Sequence, residues 1–277
     1  VVLVLSFRQS GALAAAYGGL RALGSEGNAR LACLLLGLSP FYLFMSANLL
    51  SHTPCGFALA AAFFLMIVPV GRFRLAFFAA AGAALSAAFA SRPYTTVLAG
   101  GVLALHGTFR DGRAEGARRL AALLAGAAPG LLLLFAYNHA LTGHPLRFPF
   151  LVADPTEVPW FGYRDHTVTN GLANTAGELG LLNLALLGWP CGLLLLGAAP
   201  FRRAREPADR LAPAVFLALV VGYATYYWTD FAFGPRFYFE ATPFLAYLTV
   251  RGLQRFGSAG AAVGLSPSGP RAAFSAF

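Results

Sequence analysis

The chain has 277 residues and a formal net charge of +9, yet only 11% of it is charged and 58% is hydrophobic, with a mean hydropathy of +0.65. A soluble domain carries about 25% charged residues, so the composition excludes an ordinary water-soluble globule. Every one of the 20 basic residues is arginine, which removes a phosphate-cradling Walker lysine and a Schiff-base lysine from consideration.

Apolar runs long enough to cross a hydrocarbon core recur at 1–23 (interrupted by Arg8 and Gln9), 30–50, 53–70, 74–90, 94–109, 119–141, 179–199, 211–229 and 238–254. This pattern predicts an all-α fold, a polytopic transmembrane bundle of about eight or nine spans, occupying 1–256 with one long extracytoplasmic loop at 142–178. The Gly/Ser/Pro-rich segment 257–277 reads as a disordered tail. The chain begins on Val with an apolar run and reads as a segment of a longer protein. Cys33, Cys55 and Cys191 lie in apolar surroundings without C-x-x-C spacing and read as packing residues.

The arginines sort by connection. Arg21 and Arg30, Arg72 and Arg74, Arg110 to Arg119, Arg202 to Arg210, and Arg251 with Arg255 fall in alternate connections, whereas Arg92, Arg147, Arg164 and Arg236 occupy the others. The positive-inside bias assigns the larger set to the cytoplasm, and nucleic acid is not needed to explain the charge. The opposite face then holds Asp154, Glu157, Asp165, Glu178 and Asp230, with Glu240 just inside the next span, and His52 and His166. Polar groups gathered at one membrane face suggest an outward-facing site.

Within that face Arg92-Pro93 interrupts two apolar runs; a guanidinium there suits a phosphate, of a lipid headgroup or of a substrate, and most boundary arginines simply snorkel. The run YYWTDFAFGPRFYFE surrounds Asp230, Arg236 and Glu240 with aromatic rings, a combination fitted to a phosphosugar but equally to an interfacial aromatic belt. His52 opens a span at the same face, and Asn138 reads as a helix-end hydrogen bonder. The 142–178 segment reads as a substrate cover. Asp165 and His166 are of types that orient a base or ligate a divalent metal, but no H-E-x-x-H is present and His139 and His144 lack helical metal spacing.

Taken in order, LGLSPFYLFMSANLLSHTP, SRPYT, AYNHALTGHPLRFPF, WFGYRDHT and FGPRFYFEATPFLAYL resemble the bacterial membrane glycosyltransferases of the GT-C superfamily, in the branch of protein mannosyltransferases and lipid A aminoarabinose transferases. The resemblance covers about residues 20–255. It implies an inner-membrane enzyme that moves a sugar from a polyprenyl-phosphate donor to a lipid, glycan or protein acceptor on the extracytoplasmic face. Arg92 and Arg236 would hold the donor phosphate, with His52, Tyr94, Asn138, His166, Tyr238 and Glu240 completing the substrate-binding set. The family places its catalytic carboxylate in the first extracytoplasmic loop, and residues 1–20 hold no Asp or Glu. The base is therefore expected upstream, with Asp154, Asp165 and Asp230 as the candidates inside the chain. Two other readings are a transporter or flippase for a lipid-linked anion, against which stand the one-sided polar residues and the lack of a repeat, and a non-catalytic scaffold of an envelope-glycan complex.

Overall fold

The computed structural model describes residues 2–153, 161–162, 166–188, 192–193, 206–226 and 234–262. Every regular element among them is helical. Helix α1 (Val2–Leu23) runs without a break through Arg8 and Gln9, so that pair does not interrupt the first apolar run as expected. A second helix, α2 (Glu26–Leu38), starts at Ser25, whose hydroxyl accepts from the Asn28 amide, and Glu26 in its first turn pairs with Arg30.

Ser39 then serves two helices. It closes α2 and caps α3 (Pro40–Ser46) by accepting from Tyr42 N, while its own hydroxyl donates to the Leu186 carbonyl. With Pro40 set at the first helical position, the two helices meet at a 64° bend. The run read as one span at 30–50 is thus a broken pair.

Helix α4 (His52–Ile67) is buried on most of its faces and is bordered by α1 and α5 (Arg74–Ser91). The next run is also interrupted: α6 (Pro93–Thr95) passes through a π-helical turn (Thr96–Gly100) into α7 (Gly101–Phe109). After Gly112 (φ +105°), α8 (Arg113–Thr142) extends for 30 residues with Pro129 inside it and stops at Gly143, whose φ of +74° is a left-handed terminus that glycine adopts without cost. Then come α9 (Pro149–Ala153), α10 (Val168–Ala185), α11 (Ala208–Ala224), a 3-10 turn (Arg236–Ala241) and α12 (Thr242–Ala262).

Among the described residues two segments are long and apolar enough to cross a membrane, Gly71–Ser91 and Arg113–Thr142; the bent α2–α3 pair makes three if counted as one span. The expected eight or nine spans are therefore not matched helix for helix among the described residues. Breaks at Ser39-Pro40 and at the π turn, and the 16-residue length of α4, divide runs that composition alone joins. Part of the expected 142–178 loop is also helical. The Thr167 hydroxyl accepts from Asn170 N and opens α10, so Glu178 is a buried residue of a helix rather than of a loop. At the C-terminal side α12 continues to Ala262, six residues past Phe256, and 263–277 lie outside the described residues, as does Cys191.

Helices α5 and α8 approach by means of missing side chains. A Cβ placed at Gly82 would meet the Leu123 carbonyl, and one at Gly126 the Ala79 carbonyl. Small residues let the two backbones touch, the usual basis of close helix pairing when solvent does not drive association. The far side of α8 carries exposed Leu124, Leu132, Leu133, Tyr137 and Leu141.

Polar side chains gather at the two ends of this apolar middle. At one end Arg251 grips Asp209 through Nε (2.8 Å) and Nη2 (2.9 Å), and Tyr247 donates to Asp209 (3.0 Å) and Glu206 (2.6 Å). Asn28 donates to Glu206 and accepts from Gln254, tying α2 to α12. Nearby Asp111 meets Arg119 at 2.8 Å and Arg74 at 3.3 Å. Partial burial works against ionisation of Asp111, but the bond from Arg119 and the charges of Arg110, Arg119 and Arg74 outweigh it and hold the carboxyl below its ordinary range. This is the end that bears Arg21, Arg30, Arg74, Arg110, Arg119, Arg210 and Arg251. Arg92 and Arg236 stand at the other.

Two consequences are testable in purified protein. Gly82→Val should destabilise by at least about 1–3 kcal/mol, because the obstruction is backbone that no rotamer can relieve, whereas Gly101→Ala, which meets nothing within 4 Å, should stabilise by about 0.5–1 kcal/mol; thermal unfolding in detergent reads both. Asp209→Asn should cost about 3–5 kcal/mol, since it leaves Arg251 mostly buried opposite a neutral group.

Candidate anion-binding cleft

The second polar cluster is built around one backbone constraint. Pro93 excludes helical geometry from the residue before it, and Arg92 accordingly takes φ −147°, ψ 85° while its amide still caps α5 on Ala88 O. The chain turns there, and the Arg92 carbonyl is taken up by the amide and hydroxyl of Thr96. The side chain is left pointing into a junction of α4, α6, α11 and the 3-10 turn.

At that junction Arg92 Nε donates to Thr95 Oγ1 at 3.0 Å and stands 3.5 Å from Glu240 Oε1. Its Nη1 lies 2.9 Å from His52 Nε2 and 3.4 Å from Ser51 Oγ, and Nη2 donates to the Tyr223 hydroxyl at 3.0 Å. A guanidinium only donates, so His52 Nε2 is the acceptor and the imidazole proton sits on Nδ1, from which it is given to Glu240 Oε1 at 3.2 Å. His52 and Glu240 side chains are sealed from solvent, whereas Arg92 keeps 16% of its side chain exposed.

That exposed edge opens on a cleft of about 440 Å³. Ser51, Thr95 and Tyr223 place hydroxyls at the guanidinium, Tyr94 lines the cleft beside them, and Phe89, Val97, Phe148, Phe150 and Leu151 continue it as apolar wall. Phe148 meets Phe89 edge-on and stacks on Phe150, with centroids 6.1 and 5.5 Å apart. Tyr94 stacks on Tyr226, and its hydroxyl donates to Gly222 O at 2.7 Å. Phe237, 4.5 Å from the Tyr223 ring and 5.9 Å from the Arg92 guanidinium carbon, closes the inner side. The arrangement is amphiphilic: one cation with hydroxyls around it, then a tract of rings.

The expected site residues divide. Arg92 and Tyr94 form the cleft wall, and His52 and Glu240 stand immediately behind Arg92. Arg236 does not line the cleft. A 3-10 turn repeats every three residues, so Phe237 and Glu240 share the face toward Arg92 and Arg236 falls off it, with its guanidinium 5.5 Å from the Phe237 ring centre. Tyr238 is turned into the core and packs edge-on against Phe216. Asn138 is buried at the end of α8 and donates to Pro145 O at 3.1 Å, a helix-end bond rather than a ligand contact. His166 is buried beside the end of α11, with Nε2 3.3 Å from Ala224 O and its ring stacked on Phe161. Asp154, Asp165 and Asp230 lie outside the described residues. Among the described residues no three His, Cys, Asp or Glu side chains come together to hold a metal ion.

Tyr223, Thr95, Ser51 and Phe237 are the residues that sequence reasoning did not single out. Ser51 and Thr95 are adjacent to His52 and one turn from Arg92, the nearest thing to a local signal. Tyr223 sits inside an apolar run and announces nothing.

Because Arg92 and Glu240 are mutually neutralised in a dry place, Glu240→Ala should cost about 3–5 kcal/mol of stability, and Glu240→Gln, which keeps the shape, should cost less; denaturation midpoints of the two variants decide this. No family model, curated protein or solved structure matches the chain.

Proposed function

We propose that this chain is part of a multi-span integral membrane protein that receives a lipid-linked phosphate in the Arg92 cleft, and that it is a glycosyltransferase using a polyprenyl-phosphate sugar at the extracytoplasmic face of a bacterial inner membrane. The observation that carries the reading is the cleft itself, where a single guanidinium with hydroxyls at its rim leads into an aromatic and aliphatic channel. A phosphate suits the former and a prenyl chain the latter. Support for the membrane comes from α5 and α8, which among the described residues belong to the two segments both long and apolar enough to span, and which pack directly on one another with the apolar side of α8 outward.

In this reading Arg92 Nη2, bonded once to Tyr223, offers its second N–H to a phosphate oxygen, with the Ser51 hydroxyl within reach of the same head. Glu240 and His52 hold the guanidinium in place and are positioning residues. Cationic stabilisation of a leaving phosphate is the part of an inverting transfer that such a site supplies. The carboxylate that takes the acceptor proton is drawn, within this chain, from Asp154, Asp165 or Asp230. Arg236 contributes positive charge from outside the cleft. The acceptor is a lipid, a glycan or a protein.

A second reading rests on how fully Arg92 is already engaged. With Glu240, His52, Thr95, Ser51 and Tyr223 all engaged, the guanidinium is equally a clasp between helices, as a non-catalytic membrane scaffold would require.

The protein reconstituted in vesicles with radiolabelled polyprenyl-phosphate sugars separates the two. Label transfer that falls about 10- to 100-fold in Arg92→Lys, the loss of charge-assisted bonds at a preserved charge, supports the enzyme, and Arg236→Ala should fall less. Phe148→Ala should raise the donor concentration needed for half-maximal rate more than it lowers the maximal rate. Full activity of Arg92→Lys, or no binding of labelled donor by the unaltered protein, would sink the proposal and favour the clasp.

A further inference from the structure

Glu240 has a second carboxylate oxygen, and it faces away from Arg92. Oε2 is buried and has no hydrogen-bond partner in the protein, and the same holds for the Tyr42 hydroxyl and for both Gln9 amide atoms, Oε1 and Nε2. Gln9, Tyr42 and Glu240 come from α1, α3 and the 3-10 turn, and all three line one small cavity of about 10 Å³, closed by Gly56, Phe57 and Phe239. Leaving such groups unbonded in an apolar interior costs about 1–3 kcal/mol each, more for the charged one. Four orphaned atoms converging on one space demand a common partner.

We propose that this cavity is a binding site for a single ordered water molecule, which bridges Gln9, Tyr42 and Glu240. Its size is near the smallest space that accommodates one water, and a buried water needs two to four polar partners. Those present fit: the water donates to Glu240 Oε2 and to Gln9 Oε1, and accepts from the Tyr42 hydroxyl. A neighbouring cavity of the same size supplies the contrast. It is lined by Ala16, Leu59, Phe63, Leu103 and Val215, with Glu240 its one polar side chain among the described residues, fewer partners than a buried water needs.

A metal cation is the wrong occupant on charge. Glu240 is already matched by Arg92 at 3.5 Å, and Arg236 is close enough to His52 to act on it electrostatically. With its charge already balanced by Arg92, the Glu240 carboxylate has little left to offer a metal ion.

The water extends the polar junction by one helix. A continuous hydrogen-bonded path then runs from Gln9 through the water to Glu240, onward to His52 and Arg92, and to Tyr223 at the cleft. Helix α1, which contributes no residue to the cleft wall, is coupled in this way to the cation there. The inference does not depend on what the cleft binds.

The deciding measurement is a structure of the unaltered protein in lipid nanodiscs at a resolution that shows ordered water. A peak within hydrogen-bond distance of Gln9, Tyr42 and Glu240 is expected. Absence of a peak, or direct contact of the Gln9 amide with Glu240, overturns the proposal, as does a peak that strengthens when rubidium replaces sodium. In solution, Gln9→Leu and Tyr42→Phe should each lower the unfolding midpoint by about 2–4 °C. The double variant should lose less than the sum, because both residues hold the same water; strictly additive losses count against it.

Discussion

A guanidinium and a carboxylate taken out of water together organise this molecule. The charges on Arg92 and Glu240 are worth burying only if they face each other and if the remaining donors and lone pairs are also met. Arg92 comes from the turn after α5, which Pro93 keeps extended, and Glu240 from the 3-10 turn before α12. Between them they draw in His52 from the start of α4, Thr95 from α6 and Tyr223 from α11. Polar side chains, otherwise scarce in this chain, are therefore concentrated where helices meet at this end. The cleft is a by-product of the same geometry: the one side of Arg92 that no helix covers becomes its polar end.

The opposite end repeats the device with Asp209, Arg251 and Tyr247. There α2, α11 and α12 are joined by charge-assisted bonds. Between the two clamps the helices meet through Ala, Gly, Leu and Phe, and close approach is set by what is absent, as where Gly82 and Gly126 admit the backbone of the facing helix. Helix–helix contact through small residues is undirected along the axis, whereas an ion pair is not. The clamps give the apolar middle its register.

Much of the site was legible where a residue contradicts its surroundings. A charged or ionisable side chain inside an apolar run must have a partner or an opening, and on that ground Arg92, His52 and Glu240 stand out in the sequence. Their neighbours Tyr223 and Ser51 do not, because a tyrosine in an apolar run and a serine at a helix start are unremarkable until the helices meet. Arg236 lies four residues before Glu240 in sequence, yet the three-residue period of the 3-10 turn sets Phe237 and Glu240, not Arg236, toward Arg92. Asn138 and Tyr238 carry polar atoms that serve a helix end and the core respectively. The broken runs at Ser39-Pro40 and at Thr96–Gly100 were hidden because hydropathy averages over a window and does not register a bend.

Helical character, apolar excess and the sorting of arginines into alternate connections follow from the sequence alone, since propensity, hydropathy and the 3.6-residue period act over a few neighbours. Which polar groups meet was decided by tertiary structure. His52 and Glu240 are 188 residues apart, and Asn28 finds Gln254 across 226. No local preference reaches that far. Only packing, with its requirement that every buried donor and acceptor be answered, determines that these side chains share a hydrogen bond and that the uncovered face of Arg92 opens onto a ring-lined cleft.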